Sequence, residues 1–284
     1  MQTKPSKEQL ENRIRWFQHQ ANMSFYDERR PRVAEFKKRV IPLLEQLNTE
    51  ESRQEALEER IGLGLYLVHK HIARRTMAMA EEAFAQFDAV FQRCYARIYK
   101  NKGTTPRLYG MFALSLFEMA RIRNRQGDFE AARRLAEEGI ELLLSGRWKS
   151  QHYLELLILG YRAAGDAICG LEGSEMAALK NYEQVLSHCR AFIESGLAVA
   201  GLVEDWEEDE REKEAWKKRE EDDCPWLAKA FSVEHVLRPV QRSIVRLGDS
   251  TSEATRQFAK ALLKECDEWL VPIPSEPRPE AKGA

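Results

Sequence analysis

The sequence predicts an all-α protein made of antiparallel helical hairpins, and three observations predict it. Apolar residues recur at three- and four-residue spacing through most of the chain, which is the period of one helical face. Ser, Thr, Asn and Asp stand ahead of these stretches, where they can cap helices. Gly and Pro are sparse, at 15 and 10 of 284 residues, and the Asn-Gly and Asp-Gly signals of β-hairpins are almost missing.

The elements follow in order. Ser6 with Gln9 forms a capping box that opens a first helix to about residue 28. Ile14, Phe17, Ala21 and Phe25 make its apolar face. Pro31 suits the first turn of a second helix, whose stripe is Val33, Phe36, Val40, Leu43, Leu44 and Leu47; Pro42 is expected to kink or divide it. Asn48-Thr49-Glu50-Glu51 caps a third helix through Leu57, Ile61, Leu65 and Val68. A fourth carries Ala83, Phe84, Phe87, Val90, Phe91, Cys94, Tyr95 and Ile98 before Lys102-Gly103-Thr104-Thr105-Pro106 breaks the chain.

Residues 107–196 are the most informative. A helix from Leu108 to about Arg125 meets Gln126-Gly127-Asp128-Phe129, and the next runs through Ala132, Leu135, Gly139, Ile140 and Leu143. Gly127 suits the tight turn because it takes positive φ at no steric cost. Asp128 can cap the second helix. Small residues at Ala120, Ala132 and Gly139 let the two helices approach closely. In the second hairpin, Leu156, Leu159, Gly160 and Ala163 lie on one helix, and Ala178, Tyr182, Val185 and Leu186 on the other.

These two hairpins resemble tetratricopeptide repeats (TPRs), whose pattern is W-x2-L-G-x2-Y, then A-x3-F, then P. The first reads Leu116-x2-Met119-Ala120-x2-Arg123, then Ala132-x3-Ala136; the second reads Leu156-x2-Leu159-Gly160-x2-Ala163, then Ala178-x3-Tyr182. The turn Gln126-Gly127-Asp128-Phe129-Glu130-Ala131-Ala132 is similar to the family's QGDYEEA turn. Arg123 and Ala163 replace the family's Tyr, Ala136 replaces Phe, and Leu144 or Arg190 stands for the closing Pro. The spacing is also irregular: 40 residues from Met119 to Leu159 and 46 from Ala132 to Ala178, against about 34 in the family. An insertion from about Ala167 to Ser174 lies in the second turn. The resemblance implies an irregular TPR-like solenoid of stacked hairpins with an N-terminal helical bundle.

Beyond Gly196 the character changes. Residues 204–223 hold 12 acidic and 5 basic side chains. Acid-first pairs four apart, such as Glu207/Arg211 and Glu214/Lys218, support an exposed helix, and Trp206 and Trp216 give it anchors. After Cys224-Pro225-Trp226, one helix holds Leu227, Ala230, Phe231, Val236, Leu237, Ile244 and Leu247, with a kink expected at Pro239. Ser250 and Glu253 form a capping box for a last helix with Phe258, Leu262, Leu263 and Trp269. The expected organisation is a helical region at 1–103, TPR-like hairpins at 104–198, a charged connector at 199–223, a C-terminal hairpin at 224–271 and a disordered tail at 272–284.

Charge and cysteine usage bound the function. Net charge is -2, yet residues 1–107 carry 20 Lys+Arg against 14 Asp+Glu, and the rest 24 against 32. The basic front and acidic back point to a charged partner, to head-to-tail self-association, or to ordinary solvated helix faces. Cys94, Cys169, Cys189, Cys224 and Cys266 are odd in number, widely spaced and without a CxxC. That usage suits reduced thiols, a cytoplasmic location and a soluble chain. No apolar run approaches a membrane span.

Constellations for chemistry are weak. His69 and His71 are two apart and point to opposite sides of a helix, so they make a poor metal pair; His188 and Cys189 share that flaw, and His152 and His235 are isolated. No HExxH, GxSxG, GxGxxG or GxxxxGK[ST] occurs. The expectation is therefore no catalytic residue, no metal and no cofactor, in a non-enzymatic adaptor that binds a protein or peptide, acidic ones included. The resemblance implies a binding groove along the first helix of each hairpin, which places Phe117, Arg121, Asn124, Arg125, Leu157 and Tyr161 on it. Arg121 and Arg125 are four apart and can grip a carboxylate, or can pair internally with Glu118 or Glu155. The alternative partner is nucleic acid, held by Arg29, Arg30, Arg32, Lys37, Lys38 and Arg39 with Trp16, Phe17 and Tyr26 nearby. An enzyme with an unrecognised helical site is the third reading.

Overall fold

The computed structural model describes residues 5–26, 31–74, 76–100, 106–145, 152–194, 233–249 and 252–269. All of their regular structure is helical: α1 (Lys7–Tyr26), α2 (Pro31–Leu47), α3 (Glu50–Arg74), α4 (Met77–Lys100), α5 (Pro106–Arg125), α6 (Phe129–Leu144), α7 (His152–Ile168), α8 (Glu175–Glu194), α9 (Val233–Gly248) and α10 (Glu253–Trp269). The charged connector, the residues from Leu227 to Phe231 and the tail at 272–284 lie outside the described residues.

Local signals place most helix ends. Ser6 N–H donates to Gln9 Oε1 at 2.9 Å and Gln9 N–H to Ser6 Oγ at 3.2 Å, which is the expected capping box. Thr49 caps α3, and its box partner is Ser52: Ser52 N–H donates to Thr49 Oγ1 at 3.1 Å. Gly127 takes φ +82° in the turn between α5 and α6, and Asp128 accepts from Ala131 N–H at 3.2 Å. One expected box needs correction. α10 starts at Glu253, which is its first residue and not its third, and the Ser252 hydroxyl accepts from Thr255 N–H at 3.4 Å; Ser250 lies outside the described residues. Nor does Pro42 divide α2, which runs through it. Pro42 and Lys38 both lie on the exposed side, so the Lys38 carbonyl that loses its backbone partner faces away from the core.

Each helix packs on the next in sequence through α8, and α9 pairs with α10. Alternate helices also touch: α3 meets α5, α5 meets α7, and α7 meets α9, while α8 meets both α9 and α10. One buried cluster runs from Ile41 through Phe87, Phe112, Phe117, Leu156 and Tyr182 to Leu237 and Cys266. A smaller one, with Leu10, Ile14, Val40 and Leu44, fixes α1 on α2. α5 is enclosed, and every residue from 108 to 120 is buried.

Glycines set the helix spacing where rings intrude. The Phe117 ring of α5 rests on Gly139 of α6 and Gly160 of α7; a Cβ at Gly160 would lie 2.6 Å from Phe117 Cζ. Tyr182 of α8 presses on Gly165 of α7 in the same way, 2.7 Å from such a Cβ. Ion pairs add long-range ties on the basic front. Arg60 and Arg93 both reach Glu45 Oε1, at 2.8 and 2.6 Å, joining α2, α3 and α4. Arg107 pairs with Glu58, and Arg97 with Glu50.

Candidate functional site

The candidate site is a cleft of about 660 Å³ where α5, α7 and α9 converge. Asn124 of α5, Asp166 of α7, Cys169 just after it, and Gln241, Arg242, Ser243 and Arg246 of α9 line it. The spacing of Arg242 and Arg246 places both on one face of α9. Arg246 Nη2 donates to Ser243 Oγ at 3.1 Å, which lays its stem along the helix.

The floor is a polar network. Tyr182 Oη donates to Asp166 Oδ1 at 2.8 Å, and Cys169 Sγ lies 3.3 Å from the same hydroxyl. Burial, then the Asp166 charge, pushes the Tyr182 phenol well above its ordinary value. Burial also raises the Cys169 thiol, so the sulfur in the cleft wall stays protonated and is a poor nucleophile. Arg162 Nε approaches Asp166 Oδ2 at 3.7 Å from one turn back on α7.

The α5 wall supplies more cations. Arg121 Nη1 donates to Glu118 Oε1 at 2.6 Å, and that carboxylate is only 2% exposed. The Glu118 charge raises Arg121 above its usual value. Arg125 is exposed and, among the described residues, is in no ion pair. Partial burial, then repulsion from Arg121, lowers the Arg125 guanidinium; burial and then Arg121 lower Arg162 as well. Arg121, Arg125 and Arg162 therefore share one electrostatic neighbourhood with Glu118 and Asp166 between them.

The expected groove residues separate into three groups. Asn124 lines the cleft, and Arg121 and Arg125 flank it. Phe117 and Leu157 are corrected: at 0% and 1% exposure they belong to the core and can touch no partner. Tyr161 faces α8 and stacks on His188 with ring centroids 5.4 Å apart. Arg121 takes the internal partner Glu118, whereas Glu155 bonds His152 Nδ1 at 2.8 Å. Sequence reasoning missed Arg162, Asp166 and the whole α9 contribution. The usable signal was the four-residue spacing of Arg238, Arg242 and Arg246, an arginine stripe on an amphipathic helix.

Two residues of the expected polyanion surface, Lys37 and Lys38, are taken up in ion pairs. Lys37 Nζ bonds Glu59 at 2.5 Å, and Lys38 pairs with Glu82, so both tie α2 to its neighbours. The Arg39 guanidinium lies 5.7 Å from the Phe17 ring centroid, Arg32 is exposed, and Arg29 and Arg30 lie outside the described residues. Trp16, 54% exposed, sits edge-on to Phe17.

Among the described residues, no group of three or more His, Cys, Asp or Glu side chains could hold a metal ion, and no helix is long and apolar enough to cross a membrane. No model of a known protein family matches the chain, and no curated protein or solved structure matches it either.

Proposed function

We propose that the chain is an irregular TPR-like helical-repeat module that binds an acidic segment of a partner protein in the cleft between α5, α7 and α9. The observation that carries this reading is the pair of exposed arginines that line the cleft from α9, Arg242 and Arg246, neither of them in an ion pair among the described residues. Arginines facing solvent in a concave site are natural anchors for carboxylates. The packing of α3 on α5, α5 on α7 and α7 on α9 supports the repeat reading. It lines up the first helix of each hairpin, where the resemblance puts the groove.

The test is a binding titration of the full chain with glutamate-rich peptides against alanine-matched controls. Acidic peptides should bind, and Arg242→Ala with Arg246→Ala should weaken them while leaving the helical circular dichroism unchanged. Equal affinity for acidic and neutral peptides would end this reading.

A second reading keeps a nucleic-acid surface at Trp16, Arg32 and Arg39, supported by the exposed Trp16 indole set edge-on to Phe17, whose ring Arg39 approaches. It predicts binding of single strands that falls steeply with salt; no binding at low salt removes it.

A further inference from the structure

We infer that the cleft between α5, α7 and α9 recognises a phosphorylated side chain within a peptide, an inference that rests on the acidic-peptide reading and sharpens it. Charge stoichiometry is the first argument. Arg242 and Arg246 line the cleft, and Arg121, Arg125 and Arg162 share the field of Asp166 in its wall. Glu118 takes Arg121 at 2.6 Å, and Asp166 faces Arg162 at 3.7 Å. Glu175, the other acid acting on Cys169, stands at the start of α8. Among these described residues, the cations exceed the three acids by two. A single glutamate supplies one negative charge, whereas a phosphate monoester carries close to two at neutral pH.

Donor geometry is the second argument. Among the described residues, the cationic side chains lining the cleft are both arginines, Arg242 and Arg246. A guanidinium offers two parallel N–H donors that match two phosphate oxygens, and arginine clusters are a recurring solution for phosphorylated motifs. Arg242 and Arg246, one turn apart, present two such forks from one helix face.

Asn124 adds a contact for the peptide itself. Its Oδ1 is buried in the cleft wall with no hydrogen-bond partner among the described residues, so no ligand reaches it in this rotamer. A buried acceptor left unpaired is costly, and turning the carboxamide into the cleft would pair it with a backbone N–H beside the phosphate, which a dianionic phosphate alone cannot offer.

The experiment uses short degenerate peptide libraries that differ only at the central residue: phosphoserine, glutamate or serine. Each is passed over immobilised full-length protein. The phosphoserine library should be retained about tenfold or more above the glutamate library. Arg242→Ala with Arg246→Ala should reduce it to the serine level, and Asn124→Leu should weaken it, with helical circular dichroism unchanged. Equal retention of phosphoserine and glutamate would overturn this inference and leave the acidic-peptide reading standing. Retention of neither above serine would overturn both. Phosphoserine retention that ignores the double substitution would remove the site from this cleft. Competition by free inorganic phosphate as effective as that by phosphopeptide would overturn the peptide assignment.

Discussion

The Phe117 ring of α5 lies so close to Gly160 of α7 that a Cβ at that glycine would sit 2.6 Å from Cζ. Ring and missing side chain are one packing unit. Gly160→Ala should cost about 1–3 kcal/mol by overpacking, and Phe117→Ala about 3–5 kcal/mol by leaving a cavity. With Phe117→Ala already present, the added methyl still meets Ile140 Cγ1 at 2.9 Å but no longer the ring, so its penalty should shrink. Urea denaturation of the double-mutant cycle measures the coupling; additive effects would show that the ring and the glycine do not constrain each other.

Gly127 makes the α5–α6 turn at φ +82°. A Cβ would meet nothing within 4 Å there, so the penalty for Gly127→Ala is conformational alone. It should be about 1–2 kcal/mol. Asp128→Ala should remove the cap on Ala131 N–H for about 1 kcal/mol. Thermal melts of the two variants check both values.

Glu45 links stability to acid. Burial alone would raise its carboxyl, but hydrogen bonds from Arg60 and Arg93 hold it below its ordinary value. The unfolded chain therefore binds the proton at a higher pH than the folded one. The stabilisation is complete above the ordinary carboxylate range and drains away as pH falls through the lowered folded value. Glu45→Gln should flatten that part of the stability–pH curve, read by denaturant midpoints across the acid range; an unchanged slope would contradict the linkage.

Burial pushes the thiols of Cys94, Cys189 and Cys266 up to about 12, and each side chain is 0% exposed. Iodoacetamide at neutral pH should leave all three unmodified in the native protein and alkylate them in denaturant. Peptide mass spectrometry reads the sites directly.

Tyr182 secures the cleft floor through Asp166. Tyr182→Phe keeps the ring on Gly165 but leaves the Asp166 carboxylate short of a donor, at a cost of about 1–3 kcal/mol. The same variant should also weaken peptide binding, because Asp166 lines the cleft. Parallel stability and titration measurements test both effects.

Local chemistry made the hairpins legible in the sequence. Ser6 with Gln9, Gly127 and Asp128 each act within a few residues, so spacing alone predicts them. The groove was harder to see. Periodicity identifies an apolar face, but α5 has no free face between residues 108 and 120, and Phe117 could not be told from a surface residue by its spacing. Lys37 and Lys38 looked available because their partners, Glu59 and Glu82, come from other helices. The cleft needed α9 beside α7, a neighbour relation between residues some seventy positions apart in a chain that offers no regular repeat length to announce it.

The enclosure of α5 has a dynamic consequence. A helix gripped by α3, α4, α6 and α7 cannot open alone, so its amide hydrogens should exchange with solvent only when the whole protein unfolds. α1, fixed mainly on α2 over a separate small cluster, can peel away and exchange early. The chain then carries a gradient of opening, slowest at its centre, and the cleft borders its slowest-opening helix.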